Sequence, residues 1–134
     1  MQTLRGSCLC GDVTFAVDRT FDKMFMCSCD QCRQITGSAF AANLFTDNAG
    51  FNWLSGEDNI ATYQMPGRDI SKSFCRVCGS GVPWTSGDGT KMIVPAGTLE
   101  GEPEMVAKVR IFLSEQPSWS SDFNEVEGHL GFPP

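Results

Sequence analysis

The chain has no long apolar run, no run of lysine or arginine, and a single histidine, His129. Its longest apolar stretches are a few residues, far short of the roughly 20 that cross a bilayer as a helix, so no membrane span is expected. Ten basic residues against sixteen acidic ones give a formal charge of −6. Phosphate backbones attract basic surfaces, so nucleic acid is not an expected partner. Residues 1–5 lack an apolar core followed by small residues, so no signal peptide is expected. A reduced, cytoplasmic setting follows, one in which thiols stay free. Linkers, repeats and low-complexity blocks are also missing, and residues 1–134 suit one domain with one core.

What the chain does have is sulfur. Seven cysteines stand as Cys8-Leu9-Cys10, Cys27-Ser28-Cys29-Asp30-Gln31-Cys32 and Cys75-Arg76-Val77-Cys78. Such spacings bring two or three sulfurs to one point about 2.3 Å from a shared ion, as tetrahedral zinc requires. Thiols this close are poor partners for long-loop disulfides, and an odd number leaves one over. Two zinc ions per chain are therefore expected, the sulfurs dividing into four and three. A four-sulfur site is closed, whereas a three-sulfur site keeps a position where a ligand can react.

Cys8-Leu9-Cys10-Gly11 and Cys75-Arg76-Val77-Cys78-Gly79 each end in glycine, which allows the positive φ that folds backbone amides around a bound sulfur. Cys8, Cys10, Cys75 and Cys78 are the expected structural zinc ligands, tying together distant parts of the chain. A redox pair at Cys75 and Cys78 is the weaker reading, because no βαβ pattern surrounds it. Cys27, Cys29 and Cys32 leave the fourth corner of a tetrahedron open to a substrate thiol or water. The alternatives are a fourth ligand, such as Asp30 or His129, or a cluster of reduced thiols without metal.

Turns punctuate the whole sequence, and the pattern predicts a mainly β fold with little helix. Residues 12–18 alternate Val13, Phe15 and Val17 inward. Strands are also expected at 23–27, 39–45, 51–54, 60–63, 70–74, 82–85, 92–94 and, as the last strong one, 106–113. Residues 30–36 suit one or two helical turns ending at Gly37. The tail from Glu115, rich in proline, serine, glycine and acids, is expected to be irregular.

The motifs Gly6-Ser7-Cys8-Leu9-Cys10-Gly11-Asp12-Val13, Cys27-Ser28-Cys29-Asp30-Gln31-Cys32-Arg33, Thr36-Gly37-Ser38, Phe74-Cys75-Arg76-Val77-Cys78-Gly79-Ser80 and Ala96-Gly97-Thr98-Leu99 are similar to those of the glutathione-dependent formaldehyde-activating enzyme family, also seen in centromere protein V. The resemblance implies a β-tent of antiparallel sheets with two zinc sites. It implies structural zinc on Cys8, Cys10, Cys75 and Cys78, and catalytic zinc on Cys27, Cys29 and Cys32. Ser28 stands where members usually carry histidine, and Arg110-Ile111 where they commonly read His-Ile; neither is a ligand position in that pattern.

The expected activity is of the zinc-dependent carbon–sulfur lyase type, on a thiol adduct such as S-hydroxymethylglutathione. A zinc-coordinated thiol is ionised, which suits addition to a small aldehyde or the reverse. The competing classes are a non-catalytic zinc scaffold for a protein partner and a thiol-based redox sensor that releases zinc on oxidation. On the substrate side stand Ser28, between two ligands; Arg33, placed to pair with a carboxylate or simply exposed on the helix; and Trp119, as a pocket wall or core filler.

Overall fold

In the computed structural model, which describes residues 2–105 and 107–134, strands are short, and half of their pairings join strands consecutive in sequence. In chain order they are β1 (Thr3–Ser7), β2 (Thr14–Asp18), β3 (Thr20–Phe21), β4 (Lys23–Cys27), β5 (Ala41–Asp47), β6 (Phe51–Ser55), β7 (Ile60–Gln64), β8 (Ser71–Cys75), β9 (Trp84–Thr85), β10 (Lys91–Pro95), β11 (Glu104–Met105) and β12 (Lys108–Ile111). Helix α1 (Asp30–Thr36) follows β4, and α2 (Ser118–Ser121) is a single turn in the tail. None of the helices is long and apolar enough to cross a membrane.

Three of these strands form one sheet in the order β1-β2-β6, and five form another in the order β12-β4-β5-β10-β9. Between them lies the main core of Phe15, Val17, Phe21, Met24, Leu44, Phe51, Met92 and Val94. The alternation in residues 12–18 explains the inner face: Val13, Phe15 and Val17 are fully buried. Phe15 stacks on Phe51 with ring centroids 5.4 Å apart, and Trp53 meets both rings edge-on. Gly6 lies opposite Phe15 across the β1–β2 pair. A Cβ there would stand 2.1 Å from the Phe15 ring, so β1 can pass only without a side chain.

β7 and β8 form a separate antiparallel hairpin that pairs Ile60 with Cys75. Sheets are antiparallel apart from two pairs: β12 runs parallel to β4 and β11 parallel to β3. Residues 104–105 and 108–111 thus lie alongside residues 20–21 and 24–27, two parallel pairs added to the antiparallel sheets that were expected. Parallel neighbours need a long crossover, and about 80 residues of chain separate these two segments.

β12 is also shorter and more exposed than the strand expected at 106–113. Val106 lies outside the described residues. At the other end Phe112 breaks the strand by adopting a left-handed conformation, φ 56°, unusual for a residue with a side chain. Helix α1 spans the residues expected, and Gly37 ends it, its amide bonding to the Arg33 carbonyl at 2.7 Å.

Candidate metal centres and cavity

Each pair of outer cysteines sits in a backbone knuckle. In the first, Val13 N–H donates to Cys8 Sγ at 3.3 Å and Gly11 N–H to the Cys8 carbonyl at 3.2 Å. In the second, Val77 N–H donates to Cys75 Sγ at 3.4 Å and Gly79 N–H to the Cys75 carbonyl at 2.8 Å. Gly11 and Gly79 have φ of 85° and 78°, the left-handed turn on which each knuckle depends. Leu9 N–H donates to Ser80 Oγ at 3.0 Å, joining one knuckle to the other.

The four sulfurs lie within 4.8 Å of one another. Cys8 Sγ is 3.6 Å from Cys10 Sγ, and Cys10 Sγ is 3.8 Å from Cys75 Sγ. A tetrahedron with zinc–sulfur bonds of about 2.3 Å has edges of about 3.8 Å, so these sulfurs already stand at the spacing the ion demands. Cys8 and Cys75 are buried with Val13 and Val82 in a small apolar cluster, while Cys10 is exposed. Ser80, through its hydroxyl and its amide, holds the Cys78 thiol down at about 5, which suits a ligand that must bind as thiolate.

The middle cluster is built differently. Cys27 ends β4, Cys29 is the N-cap of α1, and Cys32 lies in the first helical turn. Cys29 Sγ accepts the Cys32 N–H at 3.4 Å, a sulfur version of the side-chain cap that satisfies a free helix amide. Positions three apart on a helix face the same side, which brings the sulfurs of Cys29 and Cys32 to that of Cys27, all within 4.8 Å. Burial pushes the Cys27 and Cys32 thiols up. Three thiols this close, two of them buried, cannot all ionise beside one another without a counter-charge, which a divalent cation would supply. All seven cysteines are free of disulfides.

The two clusters differ in their relation to the cavity. Cys27, Cys29 and Cys32 line a cavity of about 710 Å³, whereas none of Cys8, Cys10, Cys75 or Cys78 does. Phe25, Phe40, Phe45 and Ile35 make apolar wall, and Arg68 and Lys72 bring positive charge. Phe112, the residue with positive φ, also lines it. Strained backbone is concentrated at functional sites, so Phe112 belongs with the candidate residues. Ser28 N–H donates to the Ile111 carbonyl at 3.1 Å, holding the cysteine segment to β12.

The three residues expected on the substrate side do not meet at the cavity. Ser28 is 3% exposed and is not part of its lining. Arg33 turns back on its own segment, its Nε donating to the Ser28 carbonyl at 3.0 Å and its guanidinium pairing with Asp30. Trp119 is 66% exposed in the tail and outside the lining, neither wall nor core filler. His129, considered above as a fourth ligand, instead contacts Glu127 at 2.6 Å. Asp30 is occupied by Arg33. Among the described residues the middle cluster thus offers three candidate protein ligands. The residues that do line the cavity, Arg68, Lys72 and Phe112, carry no local motif. Their only sequence signal is an unpaired charge or an aromatic flanked by turns.

No protein with a curated description matches the chain. A solved structure of a protein from Rhodobacter sphaeroides is similar, with TM-score 0.61 at 23% identity, covering 78% of this chain and 99% of that one; the likeness is one of fold. A family model, glutathione-dependent formaldehyde-activating enzyme, matches residues 3–115, a span that contains both cysteine clusters and every charged residue of the cavity wall. On that match the chain belongs to the glutathione-dependent formaldehyde-activating enzyme family.

Proposed function

We propose that the protein is a zinc-dependent enzyme of carbon–sulfur lyase type, joining a small thiol to formaldehyde or separating the two. The observation that carries this reading is the unequal placing of the two clusters: the three-sulfur set opens on a cavity, and the four-sulfur set does not. A scaffold has no need of that asymmetry. Zinc on Cys27, Cys29 and Cys32 supplies the positive charge that lowers the pKa of an incoming thiol. In the forward direction the thiol sulfur bonds to the aldehyde carbon, and the thiol proton ends on the aldehyde oxygen. The reverse direction breaks the same carbon–sulfur bond and releases both parts.

The chain itself contributes position and surroundings. Cys29 is fixed by the Cys32 amide, and Cys27 by the pairing of β4 with β5 and β12. Phe25, Phe40, Phe45 and Ile35 exclude bulk water from one side of the cavity, which strengthens charge interactions within it. Glutathione, which carries two carboxylates and an ammonium, is the substrate that best fits the family and a wall holding Arg68 and Lys72 beside Asp69.

Exchange of formaldehyde with glutathione, followed by NMR with zinc-loaded protein, tests the proposal. Acceleration that disappears in Cys29→Ser is the expected result. No acceleration, with both sites loaded, overturns it and favours a scaffold.

A further inference from the structure

Lys72 lies on β8 and lines the same cavity as the middle cysteines. Its side chain is half-buried, yet among the described residues its ammonium has neither an ion pair nor a hydrogen bond. Burial lowers its pKa, and none of the cavity's acids, Asp30, Asp69 or Glu115, forms an ion pair with it. Lys91, half-exposed and outside the cavity lining, behaves differently: its Nζ reaches Asp22 and Asp47, each at 2.7 Å. The chain has sixteen acidic residues, and none is placed on Lys72.

Gly81 shows that the position is made for the ammonium. A Cβ on Gly81 would stand 2.6 Å from Lys72 Nζ, and Gly81 is not among the glycines with positive φ. What glycine provides here is room. Arg68 is held on the same wall by the turn between β7 and β8. There Gln64 Nε2 donates to the carbonyls of Arg68 at 2.7 Å and Ile70 at 3.2 Å, and Gln64 Oε1 accepts from Ser71 Oγ at 2.6 Å. Two cations therefore line the cavity that Cys27, Cys29 and Cys32 also line.

We propose that Lys72, with Arg68 on the same wall, binds a carboxylate of the thiol substrate and selects anionic thiols over neutral ones. The inference rests on the reading that a thiol binds at the middle cluster. A charged donor meeting a carboxylate in a half-dry site gives a short, strong hydrogen bond. Asp69, also on this wall and without an ion-pair partner among the described residues, suits the ammonium of a peptide-like thiol.

Calorimetric titration of zinc-loaded protein with glutathione, glutathione diethyl ester and 2-mercaptoethanol tests this. Wild-type protein should bind glutathione about tenfold more tightly than the diester, the size of one charge-assisted hydrogen bond. Lys72→Met should erase most of that preference and lower the ratio of glutathione to mercaptoethanol affinity by a similar factor. Gly81→Ala, which displaces the ammonium without removing it, should move the ratio the same way. Lys72→Gln replaces Lys72→Met if the latter misfolds. Equal affinity for glutathione and diester in the wild type overturns the proposal, as does a preference unchanged in the lysine variants. If no thiol binds, the enzymatic reading fails and S-methylglutathione, which keeps both carboxylates, decides this one. Binding lost in Lys72→Met supports it, and binding that is absent or unchanged overturns it.

Discussion

Glu115 Oε1 accepts the backbone N–H of Asp30 at 3.1 Å, across 85 residues of sequence. Asp30 opens helix α1, so this carboxylate takes one of the amides that a helix start leaves free, immediately beside Cys29. Glu115→Ala should cost about 0.5 kcal/mol of stability, as an exposed hydrogen bond does. Its larger effect should be faster loss of metal from the middle cluster, read by the rate at which a chromogenic chelator takes up zinc. An unchanged rate would show that the bond does not steady the cysteine segment.

Protein purified under reducing conditions should contain close to two equivalents of zinc. A chelator should remove one first, because three ligands facing a cavity hold an ion less firmly than four that close around it. Metal analysis along a chelator titration distinguishes two steps from one. A single equivalent held only by Cys8, Cys10, Cys75 and Cys78 would remove the open site from consideration.

The two sites should differ in what their loss does to the fold. Cys78→Ser breaks a tie between the β1–β2 connection and the end of β8, and metal-binding energy there is folding energy. Unfolding or aggregation is expected. Cys29→Ser affects a six-residue local cluster and should leave a folded domain with one zinc. Equal melting losses in the two variants would mean that both sites are structural.

Much of this was legible because zinc ligation is local. Cys8/Cys10, Cys75/Cys78 and the Cys27–Cys32 segment declare themselves by spacing, and Gly37 marks the helix end beside them. β1 was not legible. Its one buried position is Gly6, so the strand shows no alternation of apolar side chains, and the reason for that glycine, the Phe15 ring, lies on another strand. Parallel pairing of residues 20–21 and 24–27 with 104–105 and 108–111 is equally silent, since no residue in either segment encodes its partner. Lys72 and Arg68 read as ordinary surface cations until the hairpin bearing them is placed against the cavity. Trp119 misled in the opposite direction: an indole suggests burial, but it stands exposed, as do Phe123, Val126, Leu130 and Phe132 of the tail beyond α2.

Gly6→Ala should be far more costly than its size suggests. The new methyl meets Phe15 at 2.1 Å inside the main core, so either the ring or β1 must move. A loss of about 1–3 kcal/mol is expected, typical of overpacking. Urea denaturation measures it, and Gly97→Ala, where a Cβ meets nothing within 4 Å, is the matched control.

No imidazole lines the cavity, and the chain's single histidine is engaged with Glu127 in the tail. Thiol–aldehyde activity should therefore vary little between about pH 6 and 8, apart from the ionisation of the substrate thiol. A bell-shaped profile with an inflection near 6.5, persisting in His129→Ala, would show that another group transfers the proton.

The cavity draws its sulfurs from β4 and α1 and its cations from the β7–β8 hairpin, which belongs to a different sheet. The candidate metal ligands and the cavity's cations are thus encoded in separable stretches of the gene. On the proposed reading, changes at positions 68 and 72 would exchange one thiol substrate for another while leaving the cysteines untouched. A lineage with this architecture can widen its substrate range by drift in a single hairpin.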